Sequence, residues 1–324
     1  MNEHPLRSAS NPWGARPVVL VIVLVAMAAL FSAISPQFRS RESFLDQSRY
    51  WTEMALVAPF LFLVVLAGGI DLSVGSILGL VGVTVVRLHI EAGWPIALAA
   101  ATGMGIGALA GLANGVLIQL LGVSDLVATL ATLGIYRGLA QAVRQNRPLS
   151  NLPEGYRLLS EGAIAGVPLS WCAVVAVWIV AFVVVHRTRL GRWSFAAGSS
   201  PEAARFARIP VARARILLYT LSGLGAGLAA LFLTARANAA RDDDGVGLEL
   251  DAIACVVLGG ASISGGKGSL PGLVLGTLCL GVLRTGLVLS DVSEQNTRLA
   301  TGIVLLAVAL LNERIVRGES RSPA

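Results

Sequence analysis

MALVAPFLFLVVLAGGIDLSVGSILGLVGVTVV, residues 54–86, holds a single charged side chain, Asp71, in an otherwise apolar and small-residue stretch. As one helix it would run about 50 Å, too long for one crossing of a hydrocarbon core of roughly 30 Å. Two short crossings meeting near Gly68-Gly69 fit that length, so the segment predicts a second and a third span of a multi-span bundle. Similar charge-poor stretches recur on both sides of it. A first span covers residues 17–34, a fourth 94–121, a fifth 126–143 with Arg137 inside it, and a sixth 167–185. A seventh covers 216–235, a short eighth 252–260, and segments 270–289 and 299–311 bring the count to about ten. The fold class is therefore all-α, a polytopic membrane bundle with some short or broken helices.

Composition agrees with lipid as the solvent. The 324 residues are 55% hydrophobic and 14% charged, and the mean hydropathy of +0.74 far exceeds that of a domain whose surface must satisfy water. Strand-length alternation at even spacing is missing from the sequence, which argues against a transmembrane β-barrel. Cys172, Cys255 and Cys279 sit inside apolar runs without metal-like spacing and read as packing residues. Residues 18–31 resemble a signal-peptide core, yet the apolar run is long and further spans follow, so an uncleaved first span is expected.

Arginine placement sets the expected orientation. The loop 186–215 carries Arg187, Arg189, Arg192, Arg205, Arg208, Arg213 and Arg215 against the single acid Glu202, which assigns it to the cytoplasm. The loop 236–251 is net acidic, with Asp242, Asp243, Asp244, Glu249 and Asp251 against Arg236 and Arg241, and belongs outside. Counting from these two places both termini in the cytoplasm, with Arg7 and Arg16 at one end and Arg314, Arg317 and Arg321 at the other. The chain is expected to be one transmembrane domain over 1–324, with a short head (1–16), the cytoplasmic loop (186–215) and a tail (312–324). The formal charge of +6 then reports topology, and neither nucleic acid nor a cofactor is called for.

Four features carry chemistry or mechanics. Asp71 at membrane depth costs roughly 2.5–3.5 kcal/mol and needs a partner or a water-lined cavity. Flanking glycines let the helix break there, and Asp71 or Ser73 can cap the helix that follows. Two readings stay open for Asp71, a cap at the membrane surface and a gating or pathway role. Gly103, Gly107, Gly111 and Gly115 repeat every fourth residue, line one helix face and read as close helix packing, as do Gly223/Gly227 and Gly272/Gly276. Asn114, beside that face, either bonds a neighbouring helix or lines the pathway. In the cytoplasmic loop, Ser199-Ser200-Pro201 opens a short amphipathic helix from Glu202 to Arg208, capped by Ser200 and with Glu202 at the dipole-favoured end; a solvated or interfacial helix meeting anionic membrane lipid is the bland alternative. Gly265-Gly266-Lys267-Gly268 lacks the hydroxyl residue and the preceding strand of a phosphate loop, so it reads as a broken helix at the cytoplasmic face. His4, His89 and His186 lie at a terminus or at span edges, and no nucleophile has an evident base, which weighs against an enzyme.

These residues together resemble the ribose-type permeases of carbohydrate ABC importers. The resemblance runs through Ala67-Gly68-Gly69-Ile70-Asp71-Leu72-Ser73-Val74-Gly75-Ser76, Asn114-Gly115, Ala128-Thr129-Leu130 and Arg137-Gly138. It continues in Gly191-Arg192, Glu202-Ala203-Ala204-Arg205 with Ile209, and Leu258-Gly259-Gly260-Ala261-Ser262 with Gly265-Gly266-Lys267-Gly268. It implies a bacterial inner-membrane subunit that pairs with a second permease copy or homologue, two cytoplasmic ATPase subunits and a periplasmic solute-binding protein. It also implies that Glu202, Ala203, Ala204, Arg205 and Arg208 form the element that docks on the ATPase, with ATP hydrolysed by that partner. Asp71, Ser73, Asn114, Thr129 and Arg137 are the pathway or gating candidates. The chain departs from the family at Ser124-Asp125, where prolines are usual, at Leu126, where an aromatic is common, at Arg208 in place of glycine and at Pro210 in place of a polar residue. A nucleoside or branched-chain amino-acid permease, and an ion-coupled secondary transporter, are the competing functions.

Overall fold

A computed structural model describes residues 15–293, 295–297 and 299–303. Its helices are α1 (Ala15–Ile34), α2 (Pro36–Arg39), α3 (Arg41–Ser48), α4 (Thr52–Leu66), α5 (Val74–Ile90), α6 (Ile96–Leu120) and α7 (Asp125–Arg144). They continue as α8 (Glu154–Glu161), α9 (Leu169–Arg187), α10 (Arg189–Ser199), α11 (Pro201–Phe206), α12 (Val211–Ala237), α13 (Leu248–Leu258) and α14 (Leu270–Val288). Among the described residues, seven helical runs are long and apolar enough to cross a membrane, and Val74–Ile90 is a shorter apolar helix. The bundle expected from the sequence is there, with its ten-span count approximate. The expected tenth span, 299–311, passes out of the described residues, as do Arg7 of the head and the arginines of the tail.

Three boundaries differ from the sequence reading. The helical run that contains the second span begins at Arg41, because α3 continues through a short 3₁₀ turn into α4. The eighth span begins at Leu248 rather than 252, as Gly247, at a left-handed φ of 86°, ends the preceding loop. The loop 186–215 holds two helices, α10 and α11, where one was expected, since Thr188 caps α10 by accepting the Gly191 amide at 3.5 Å. Between α7 and α9 lies α8, whose buried Tyr156 hydroxyl meets Thr234 Oγ1 at 2.8 Å.

The glycine faces set how closely the helices pack. On α6, Gly107, Gly111 and Gly115 lie against the backbone of α12 at Gly223, Tyr219 and Ile216. On α14, Gly272 and Gly276 lie against the end of α13 at Gly259 and Cys255. Lipid offers no hydrophobic drive between helices, so van der Waals contact over such faces is what holds them together. Around this frame α4 is buried on nearly every side.

The connections gather at two ends. At one, Arg215 reaches the carbonyl of Ala67, and the Gly266 amide donates to Leu66 O at 2.9 Å. At the other, Glu91 pairs with Arg87 and Arg147, and β1 (Leu149–Ser150) pairs antiparallel with β4 (Ala239–Ala240), Leu149 opposite Ala240. Between them in sequence, β2 (Ala163–Ile164) and β3 (Val167–Pro168) form a small hairpin. Helix α4 ends and α5 starts at the first end, so both return from it as two crossings separated by a break at residues 67–73.

Candidate functional site

The break is the polar centre of the bundle. Gly68 adopts φ 75° directly after the last turn of α4, a conformation that a Cβ disfavours, and the chain stays non-helical until Val74. Non-helical backbone in lipid survives only if its polar groups find partners inside the protein or in a water-lined cavity. Here the protein supplies them. Arg215 donates to Ala67 O from Nε at 3.1 Å and Nη2 at 2.8 Å. Ile70 O accepts from Thr129 Oγ1 at 3.3 Å and from the Tyr219 hydroxyl at 3.2 Å.

Asp71 is fully buried inside the protein, at 0% exposure. Its Oδ1 accepts from the Ser73 amide at 3.0 Å and the Ser73 hydroxyl at 2.7 Å, and its Oδ2 accepts from Ser222 Oγ at 2.8 Å. Ser73 Oγ in turn accepts from Asn114 Nδ2 at 2.7 Å. The Tyr136 hydroxyl lies 3.3 Å from Asn114 Oδ1 and 2.9 Å from Ala110 O. One carboxylate thus fastens the break to α6 and α12 and, through Asn114, to α7. Among the described residues its partners are hydroxyls and an amide, with no ion pair. Charge-assisted hydrogen bonds from three donors offset the desolvation of a carboxylate held this way. Asp71 does order the start of α5 by taking the Ser73 amide, whereas Ser73 makes no side-chain cap of its own.

Of the five sequence candidates, Asp71, Ser73 and Asn114 form one chain of hydrogen bonds and Thr129 borders it. Arg137 stands apart, with Nη1 donating to the carbonyls of Asp242 and Asp244, the latter at 2.9 Å. The sequence reading missed Ser222, Tyr136 and Tyr219, single hydroxyls in apolar spans whose helix faces repeat no polar pattern. It also used Arg215 only for orientation, although Arg215 Nη1 lies 3.9 Å from Asp125 Oδ1 and the Tyr219 hydroxyl donates to Asp125 Oδ2 at 3.0 Å. The family departure at Asp125 is thereby part of the lattice around the break.

A second element projects from the same end. Helix α11 has Pro201 in its first turn, and Ser200 Oγ accepts from the Ala203 amide at 3.2 Å, as the sequence predicts. The helix ends at Phe206 rather than Arg208. The Arg208 amide returns to Arg205 O at 2.9 Å and the Ile209 amide to Ala204 O at 3.0 Å. With Arg208 at φ 57°, this is a Schellman closure whose left-handed position ordinarily takes glycine. Ala204 is buried against Ala197 and Val211 and anchors the helix from below. Glu202, Ala203, Arg205 and Arg208 are exposed, and Phe206, absent from the sequence candidates, is 91% exposed. The preceding turn sits on the break itself, Gly198 against Leu66 O and the Gly266 amide, and Gly265 against Gly68.

Comparison with known proteins places this geometry. Residues 46–309 match the family described as branched-chain amino acid transport system, permease component. The chain belongs to that family. Relatives include the ribose import permease proteins of Bacillus subtilis, 36% identical over 90% of this chain and 91% of that one, and of Escherichia coli K12, 35% identical over 91% and 92%. The autoinducer 2 import system permease of Klebsiella pneumoniae is 32% identical over 90% of this chain and 89% of its own. No solved structure matches the chain. The protein is accordingly a multi-pass permease of the inner membrane, a transport component rather than an enzyme.

Proposed function

We propose that this permease is the membrane-spanning half of an ATP-driven ABC importer for a sugar or a sugar-like solute. It would work with cytoplasmic ATPase subunits, a periplasmic solute-binding protein and a second permease copy or homologue. In this reading both termini and the loop 186–215 face the cytoplasm, in keeping with the excess of arginine there.

The observation that carries the coupling role is Phe206. A phenylalanine almost wholly exposed on a short capped helix, flanked by Glu202 and Arg205, is an apolar knob with a charged rim. That is the composition of a protein-docking anchor, here for the ATPase. Because α11 follows α10 after the single residue Ser200, and Gly198 and Ser199 rest on Leu66 and Gly266, a displacement of α11 passes to the break at residues 67–73. Asp71, Ser73, Asn114 and Thr129 then act as the gating lattice whose hydrogen bonds are exchanged as the path changes sides.

Reconstituted with its ATPase and binding protein, the permease carrying Glu202→Lys or Phe206→Ala should lose most of the ATPase stimulation by loaded binding protein, at least about tenfold for the charge reversal. Undiminished stimulation in both variants refutes the coupling role. The sugar assignment rests on relatives named for ribose and autoinducer 2 import. An amino-acid cargo is the second reading, favoured by the family's own description, and retention of a branched-chain amino acid by the cognate binding protein would establish it.

A further inference from the structure

Arg215 and Arg87 bracket the apolar depth of the bundle. From Arg215 to Ser222 is about 10 Å along α12, Ser222 meets Asp71 beside the foot of α5, and from Gly75 to Arg87 is about 18 Å along α5. Together these nearly fill a hydrocarbon core of roughly 30 Å. The segment between α12 and α13 runs deep on that scale. Gly79 lies about 12 Å inward of Arg87, and a Cβ there would stand 2.9 Å from Asp244 O and 2.9 Å from Arg137 Nη1. One turn deeper, Gly75 is covered by Gly245 O and by Glu249 Oε2.

Residues 241–247 are not helical, and such backbone at membrane depth occurs only inside protein or along water. Its backbone packs on α5 and Arg137, while the side chains of Arg241 and Asp243, the former directly after β4, keep 64% and 55% of their exposure in the single chain. Charged groups on a membrane-embedded face meet water or a second permease copy, not acyl chains. At its floor, Glu249 Oε1 accepts the Gly247 amide at 3.2 Å, and Oε2 is buried without a hydrogen-bond partner among the described residues. A buried carboxylate oxygen left this way calls for a partner such as water or a solute hydroxyl. Beside it, Arg137 is held by two loop carbonyls.

We propose that this segment lines a water-filled vestibule open at the end opposite α11, and that Glu249, Arg137 and the first turn of α13 form a solute station at its floor for a neutral polyhydroxylated molecule; the proposal rests on the importer reading above. A carboxylate and a guanidinium one helical turn apart accept from and donate to neighbouring hydroxyls of one sugar ring. Arg144 pairs with Asp242, Arg241 with Asp243 and Arg284 with Asp251, and Asp244 adds a further acid, so no surplus positive charge draws an anion. The glycines at 75 and 79 are what let the two side chains lie flat on α5.

Two measurements test it. In right-side-out membrane vesicles, Val246→Cys and Leu250→Cys should react with a membrane-impermeant sulfonated thiol reagent at least about tenfold faster than Ile179→Cys on the outer face of α9, with the unaltered chain as background for its own cysteines. Equal rates overturn the vestibule. In proteoliposomes with the ATPase and binding protein, Glu249→Gln and Arg137→Gln should lower the labelled D-ribose taken up per ATP hydrolysed by tenfold or more. Uptake and ATP hydrolysis falling in proportion, or neither falling, overturns the station. Failure of the importer reading looks different, since the unaltered chain would then take up no D-ribose with ATP while the labelling pattern still decides the vestibule.

Discussion

Gly223→Ala should loosen the bundle, and its size can be worked from the contact it breaks. An alanine Cβ at 223 would stand 2.8 Å from the Gly111 amide nitrogen and 3.0 Å from its Cα, and Gly107 O would be nearer still. All three are backbone atoms, so no rotamer relieves the overlap; α6 and α12 must part by roughly half an ångström or more. Overpacking of this kind costs about 1–3 kcal/mol, and a gap opened along the rest of the face forfeits further dispersion contact. The better helix propensity of alanine returns at most about 1 kcal/mol. Gly105→Ala, on α6 itself but with nothing within 4 Å of its Cβ, keeps that gain without the clash. Thermal unfolding of the purified permease in one detergent should show Gly223→Ala melting a few degrees lower than the unaltered chain and Gly105→Ala level or higher. Equal midpoints for the two variants refute the claim that glycine at 223 is there for contact between backbones.

Arg208→Gly should stabilise the loop between α10 and α12 by about 1 kcal/mol, because the left-handed position that closes α11 strains a residue with a Cβ; slower proteolysis between α10 and α12 is the readout. Ser222→Ala removes one of three donors to a buried carboxylate and should cost about 1–3 kcal/mol, read by thermal unfolding. Asp71→Asn combined with it should cost less than the sum of the two singles, since they share one network. Arg236→Ala should be among the most damaging single changes, about 3 kcal/mol or more, because it leaves Glu53 buried without its 2.8 Å partner and removes a guanidinium stacked 4.1 Å from the Tyr50 ring. Just past the end of α5 the Arg87 hydrogen bond holds the Glu91 carboxyl below its ordinary value of 4.5. A depressed carboxyl gives stability that is present above that value and lost as pH falls through the lowered one. The difference in melting between Glu91→Gln and the unaltered chain should therefore be constant from pH 7 to pH 5 and shrink only in more acidic buffer.

Much of the architecture was legible because lipid allows few solutions. Charge-poor runs of the right length must be helices, and a run too long for one crossing must break where glycine permits it, so the residue 54–86 stretch revealed α4, α5 and the joint between them. The four-residue glycine spacing named the α6 face correctly, since only a backbone neighbour makes use of a missing Cβ. The site was less legible. Asp71 and Asn114 stood out as polar residues in apolar surroundings, but Ser222 and Tyr136 did not, because one hydroxyl costs little in a span and carries no period. The depth of residues 241–247 was hidden for a different reason. A net acidic loop reads as external from charge alone, and only its contacts with Gly75 and Gly79 reveal that it descends between the helices.

The two sides of the molecule meet at α5, and this gives the break its mechanical meaning. Its foot is held by the Asp71 lattice, which the proposed docking element reaches through Gly198, Leu66 and Gly68. Its glycine face, one turn above, carries Glu249 and Arg137. A rigid helix of about 25 Å cannot shift at one of these places and stay at the other. A push on α11 that exchanges hydrogen bonds around Asp71 must therefore slide Gly75 beneath Glu249 and change the floor of the proposed vestibule. Glycine at 75 and 79 tolerates that sliding without a side chain to catch, whereas Gly75→Ala would meet Gly245 O and Glu249 Oε2 at once. On this argument Gly75→Ala should stop solute uptake while leaving the loaded binding protein able to dock. A Gly75→Ala permease that transports at the unaltered rate would show that α5 is not the moving link.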